Sequence, residues 1–277
     1  MGMRVSTNMA AINSQRNLVT SQRVMAKSMA QLASGSRINI AADDAAGLAI
    51  SERLKASIRS ARQANRNAND GISMVQTAEG GLNEIGNIVV RLRELGIQSA
   101  SDTVGETERG FVNKEVQQLK SEIQRIATST KWGKTNLLDG TTPTFDFQVG
   151  VYNNKEEDRI SFNASENVAT IDSLGLAGID YSSKEGAQEA LSLLDVSQTN
   201  INGMRANLGA LQNRLTSTVD NLGVLEENMS AANSRIRDTD VAQASSEMTR
   251  NNILLQASTA TLGQANQTSS LALKLIG

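Results

Sequence analysis

Residues 201–236 read INGMRANLGALQNRLTSTVDNLGVLEENMSAANSRI, and a step of seven through them lands on Ile201, Leu208, Leu215, Leu222, Met229 and Ile236. A second series, three residues on, holds Met204, Leu211, Thr218, Leu225 and Ala232. Two such series are the a and d seam of a coiled coil sustained for about five heptads. At 1.5 Å per residue the segment predicts a helix of roughly 55 Å. A helix of that length with one apolar stripe is stable only against partner helices.

Partners are present upstream. Leu54, Ile58, Ala61, Ala68, Ile72, Val75, Leu82, Val89 and Leu92 recur in steps of three, four and seven, which predicts a helix from about residue 44 to 99, with Asn65 and Glu79 interrupting the stripe. Gly105 and Gly110 mark a turn. Val112, Val116, Leu119, Ile123 and Ile126 then predict a third, shorter helix. These helices bury their seams on one another, so the two ends of the chain must meet. Between them the period changes to two: Phe145, Phe147, Val149 and Val151 alternate, as do Ile160, Phe162 and Ala164 after a polar loop at 153–158. That is a β-hairpin holding three of the four phenylalanines, with Pro143 just before its first strand. The expected fold is mainly α: an elongated helical rod built by both ends of the chain, with a small hairpin in the middle.

Composition agrees. The 277 residues contain 3% aromatics and one proline, which suits long helices better than a compact mixed fold. There is no cysteine and no histidine, which removes disulfides, thiolate chemistry, imidazole metal sites and the commonest general base. No cofactor is expected. No run of about 18 apolar residues predicts a membrane span, and the N-terminal stretch lacks the apolar core of a cleavable signal. With a formal net charge of −2, the whole chain makes no case for nucleic acid. Locally Arg53, Lys55, Arg59, Arg62 and Arg66 could form a basic stripe, but no aromatics lie nearby to stack bases. They read as solvated charges or contacts to acidic patches of a neighbouring subunit.

The terminal segments are amphipathic but weak. Met9, Ile12, Leu18, Met25, Met29 and Leu32 near one end, and Met248, Ile253, Leu254, Leu262, Leu271, Leu273, Leu275 and Ile276 near the other, are enough to pack on each other and on copies from other subunits. Between the first terminal segment and the long helix lies LASGSRINIAADDAAGLAI, residues 32–50. Its glycine, arginine and paired aspartates have the look of a site, yet no His, Cys or Gly-Lys-Ser/Thr follows to complete one. Asp43 or Asp44 capping a helix at Ala45 is the better account. Gly35 supplies unusual backbone angles, and Arg37 is expected to pair with the aspartates.

Taken in order, NMAAINSQRNL (8–18), LASGSRINIAADDAAGLAISERL (32–54), NANDGISMVQTAEGGLNEI (67–85), VRLRELGIQSA (90–100) and the long run from Leu208 to Gln267 resemble bacterial flagellin. The resemblance covers nearly the whole chain and departs only in the middle, where large outer domains are missing. It implies an inner coiled coil of residues 1–36 with 243–277, a connecting spoke of 37–44 and 237–242, and a next shell of 45–236. It implies a subunit exported unfolded through the flagellar type III pathway, polymerising with itself into an extracellular filament for swimming. Its implied partners are the filament cap, hook-filament junction proteins and an export chaperone on helix 250–276. Met9, Ile12, Leu18, Met25, Leu32, Gly35, Arg37, Asp43, Asp44, Ile253, Leu254, Leu262, Leu271 and Leu275 are the expected assembly residues. Leu54, Ile58, Leu82, Leu208, Leu215, Leu222, Met229 and Ile236 are the seam. By position, Arg91, Leu95 and Glu115 match the residues read by the vertebrate Toll-like receptor for flagellin. A hook-filament junction protein or another coiled-coil component of the export system is the rival reading.

Overall fold

The computed structural model describes residues 7–141 and 144–274, with side-chain surroundings given through residue 267. Pro143 and Leu275 lie outside the described residues, and of Leu271 only the backbone is described. The described elements are α1 (Met9–Ser34), α2 (Ala45–Ser99), α3 (Glu106–Ser129), β1 (Lys131–Trp132), β2 (Thr135–Asn136), β3 (Thr144–Gln148), β4 (Arg159–Asn163), a 3-10 turn (Ala164–Glu166), α4 (Lys184–Arg237) and α5 (Val241–Lys274). They fall into two compact units, one of residues up to Ser57 and from Asn228 onward, the other Ile58–Glu227.

The larger unit has a conventional apolar core. On α2, Ala61, Ala68, Val75, Leu82 and Val89 are all buried at seven-residue steps, and so are Ala64, Ala78, Ile85 and Leu92 in the companion series. On α4 the expected seam residues Ile201, Leu208, Leu215 and Leu222 are buried. α3 contributes Val116, Ile123 and Ala127. Each fully buried Leu, Ile or Val side chain contributes about 1.5–3 kcal/mol relative to leaving it in water. Packing is closest where α2 meets the hairpin: a Cβ on Gly71 would sit 3.1 Å from the Phe147 ring, so the residue there must be small.

The hairpin pairs β3 with β4 antiparallel, with Phe145 opposite Phe162 and their ring centroids 5.9 Å apart. It is shorter than the alternation suggests. β3 stops at Gln148, because the amides of Val149 and Gly150 both turn to the Asp158 carbonyl, and Ala164 opens the 3-10 turn.

Three features were not legible in the sequence. α4 starts at Lys184, 17 residues before Ile201, with Ala187, Ala190 and Leu194 buried ahead of the regular heptads. The short pair β1–β2 carries no alternation to detect. Residues 167–183 lack any period, yet Ala169, Leu174, Leu176, Ile179 and Tyr181 enter the core. Polar anchors hold that segment in place of periodicity. The Lys120 ammonium donates to the carbonyls of Ala177 (2.7 Å) and Ile179 (3.2 Å), and the Tyr181 hydroxyl donates to the Leu92 carbonyl at 2.8 Å. Burial pushes the Tyr181 phenol up to about 12, so it stays a donor.

The other unit is built differently. α1 and α5 run antiparallel: the Asn8 side-chain amide donates to the Ala265 carbonyl at one end (2.8 Å), and the Arg37 amide donates to the Arg237 carbonyl at the other (2.6 Å). The residues of α1 turned inward are Ala11, Leu18, Met25 and Leu32 in one series and Ser14, Ser21 and Ser28 in the other. Those of α5 are Met248, Leu255 and Leu262 with Ala244, Asn251, Ser258 and Ala265. Eight of these fourteen residues are serine, asparagine or alanine, so the seam buries far less apolar surface than the other unit. The seam residues Leu54, Met229 and Ile236, in the same unit, are only half-buried.

Candidate assembly surface

The connector that follows α1 resolves the paired aspartates into two separate jobs. Gly35 ends α1 at φ 69, the left-handed cap that only glycine adopts cheaply. The chain then pairs Ser36 with Asp238, and the Thr239 amide donates to the Gly35 carbonyl at 3.0 Å. Asp44 is the cap of α2, its carboxylate accepting from the Gly47 amide at 2.8 Å. Asp43 instead pins the loop. It accepts from the amides of Asn39 (3.2 Å) and Ile40 (3.3 Å) and forms an ion pair with Lys27 of α1 at 2.8 Å. Lys27 first, then the Asn39 amide, holds the Asp43 carboxyl below the usual carboxylate range.

Contrary to the expectation from sequence, Arg37 pairs with neither aspartate. Its guanidinium donates to the Ile236 carbonyl at 2.8 Å, tying the connector to the end of α4. The partner of Asp43 is Lys27, which sequence reading missed. The signal was available, since α1 holds three basic residues and no acid to balance them. Arg237 was also missed. It contacts Glu52 and Ser51 of α2, while Ser51 donates to Asn233 at 2.8 Å. Both aspartates are therefore occupied, Asp44 in capping α2 and Asp43 in holding the connector to α1.

The expected assembly residues divide into two sets. Leu18, Met25, Leu32 and Leu262 are half-buried in the α1–α5 seam of their own chain. Met9 (59% exposed), Ile12, Ile253 (61% exposed) and Leu254 face solvent, together with Val19, Val24, Met29 and Val241. These exposed apolar side chains make the two-helix pair the candidate interaction surface of the described residues.

Of the three expected receptor residues, the structure brings two together. Arg91 bonds to Glu115 at 2.9 Å and to Glu94 at 3.0 Å on an exposed face. Leu95 is 2% exposed and belongs to the core, so as a surface contact it is corrected. Its place in the α2 stripe, three residues after the buried Leu92, carries it inward.

Residues 5–142 match the bacterial flagellin N-terminal helical region, and residues 191–276 match the bacterial flagellin C-terminal helical region. A flagellin of Halalkalibacterium halodurans is 43% identical over 99% of this chain and all of that protein. The Brachyspira hyodysenteriae flagellar filament core protein flaB2 is 39% identical and the Bacillus subtilis flagellin 38%, each over 99% of this chain and the whole of the relative. Among solved structures, Bacillus cereus flagellin is similar over 61% of this chain and 94% of its own, with 29% identity and a TM-score of 0.51. A putative flagellar hook-associated protein from Vibrio parahaemolyticus is similar in fold alone, at 13% identity and a TM-score of 0.58 over 71% of this chain and all of that one. With both helical regions matched and its length aligned almost from end to end, the chain belongs to the bacterial flagellin family, the structural subunits of the flagellar filament.

Proposed function

We propose that this chain polymerises with copies of itself, through the outward faces of α1 and α5, into the extracellular filament that propels swimming cells. The observation that carries this reading is the terminal pair itself. Its seam is largely serine, asparagine and alanine, while Met9, Ile12, Val19, Ile253 and Leu254 stand outside it in solvent. A pair so built gains most of its stability from whatever covers that outer surface. Residues 1–36 with 243–277 form the inner layer in this reading, 37–44 with 237–242 the spoke, and 45–236 the outer shell. Export is unfolded, through the flagellar type III route, with a chaperone on helix 250–276, a cap at the growing tip and hook-filament junction proteins at the base. The chain carries out no chemistry.

Purified chain seeded with sheared filament fragments tests this. Long polymers are expected to regrow, and monomers released by acid or heat are expected to lose both terminal segments to protease while polymers keep them. Monomer termini that resist protease, together with no growth on seeds, would sink the reading. Copy number separates it from the rival: a filament subunit dominates sheared filaments, and a junction protein is a trace component.

Recognition by a vertebrate innate-immune receptor rests in this reading on the exposed Arg91–Glu115 pair, without Leu95. Arg91→Glu should cut receptor signalling by soluble chain about tenfold, on the scale of a hot-spot arginine, while leaving seeded growth intact. Unchanged signalling would remove the receptor from the list of partners.

A further inference from the structure

The inference concerns which surfaces of two copies meet, and it rests on the polymerisation proposed above. α1 carries Arg16, Arg23 and Lys27 and no acidic residue. Lys27 is bound to Asp43, but the side chains of Arg16 and Arg23 have no ion pair or hydrogen bond among the described residues. A helical step of 100° per residue places Met9, Ile12, Arg16, Val19 and Arg23 on one stripe, diametrically opposite the seam that faces α5. That stripe alternates apolar and basic side chains, with Met9, Ile12 and Val19 all exposed.

The complementary pattern stands on the flank of α5. Residues 238–254 carry Asp238, Asp240 and Glu247 against a single base, Arg250. Asp240 and Glu247 are seven residues apart, like Arg16 and Arg23, and Leu254 follows at the next step of seven. Among the described residues none of these carboxylates has a cationic partner: Asp240 accepts from the amides of Ala242 and Gln243, and Glu247 from the Gln243 side chain at 3.5 Å. Asp240, Gln243 and Glu247 edge an open groove of about 370 Å³. The two bases in its wall, Lys27 and Arg37, are already engaged.

We infer that the α1 stripe of one copy docks on this α5 flank of a second copy. One antiparallel register places Arg16 opposite Glu247, Arg23 opposite Asp240 and Met9 opposite Leu254 together. Flanking charge pairs beside an apolar seam set register and orientation in this way. Within a chain Asn8 lies opposite Ala265, ten residues away from the intermolecular register, so the two copies keep one polarity with an axial stagger of about 15 Å. The two surfaces differ and the copies are staggered along the axis, so the contact repeats without closing into a ring, which is the requirement for an open helical polymer.

The test is a charge swap in the full chain, read as the critical concentration for seeded growth at low salt. R16E and E247R should each raise it about tenfold, because like charges then meet at every repeat. R16E combined with E247R should return it to within about threefold of wild type, since the pair is restored with opposite sense. Helical circular dichroism of each variant guards against misfolding. Single variants that grow like wild type overturn the docking and leave polymerisation standing, and impaired singles without recovery in the double overturn the register. Reduced binding of R16E to phosphatidylglycerol vesicles with unaltered growth would assign the stripe to a lipid surface instead. Wild-type chain that does not grow on seeds overturns the polymer reading and this contact with it.

Discussion

Leu82→Ala is expected to destabilise the unit of residues 58–227 by about 2–5 kcal/mol, the range for truncating a fully buried leucine. Leu82 is completely buried in the middle of α2, and its neighbour shows how little slack there is. A Cβ placed on Gly81 would approach the Thr130 hydroxyl to 2.6 Å and a Leu138 methyl to 2.9 Å, so this turn of α2 lies directly against the start and end of the β1–β2 region. Tight surroundings cannot collapse into the space a lost isobutyl group leaves, which places the cost toward the upper part of the range. Denaturant unfolding followed by circular dichroism measures it. Ile97→Ala, on the same helix but 57% exposed, is the control and should change stability by less than about 0.5 kcal/mol. Similar losses for the two would mean that the core of this unit is not organised around the α2 seam.

Gly35→Val is expected to act on assembly while sparing that core. Gly35 has a φ of 69 with nothing within 4 Å of where a Cβ would stand, so the penalty is backbone strain alone. For a β-branched residue in the left-handed region, strain amounts to about 1–3 kcal/mol. It falls on the hinge of a network. The Gly35 carbonyl accepts from Thr239, the Arg37 amide reaches the Arg237 carbonyl, and the Gln31 amide group donates to the Arg37 carbonyl at 2.8 Å. Relief of the strain frees these bonds and redirects α1. The expected readout is a changed waveform or a raised critical concentration, with unaltered denaturant unfolding of the 58–227 unit. Gly35→Asn should stay close to wild type, because asparagine tolerates the left-handed cap. Val and Asn variants that behave alike would show that conformation at Gly35 is not the constraint.

How far the fold could be read follows from where periodicity exists. The seven-residue series through Ile201, Leu208, Leu215 and Leu222, and through Ala61, Ala68, Val75 and Leu82, marked α4 and α2 because a buried stripe on a long helix has no other spacing. Residues 167–183 stayed invisible because an irregular segment enters a core one side chain at a time, held by Lys120 and the Tyr181 hydroxyl rather than by repetition. The start of α4 was missed for a related reason. Ala187 and Ala190 are small enough to be buried without forming a recognisable apolar stripe.

For the assembly surface, the weak amphipathicity of the termini pointed to the right helices but not to the right faces. Leu18 and Met25 could not be separated from Met9 and Ile12 while the direction of the seam was unknown. Sequence alone was sufficient for the helical class of the chain, for the joint after Ser34 and for the flagellin resemblance, since heptad spacing, glycine, capping side chains and long motifs are local properties. Which aspartate caps and which pins, why Leu95 is interior, and that Arg16 and Arg23 stand outward without partners among the described residues were decided only by tertiary structure. Burial and ion pairing depend on what a residue faces, and the partner can lie on the preceding helix, as Lys27 does for Asp43, or 257 positions away, as Ala265 does for Asn8.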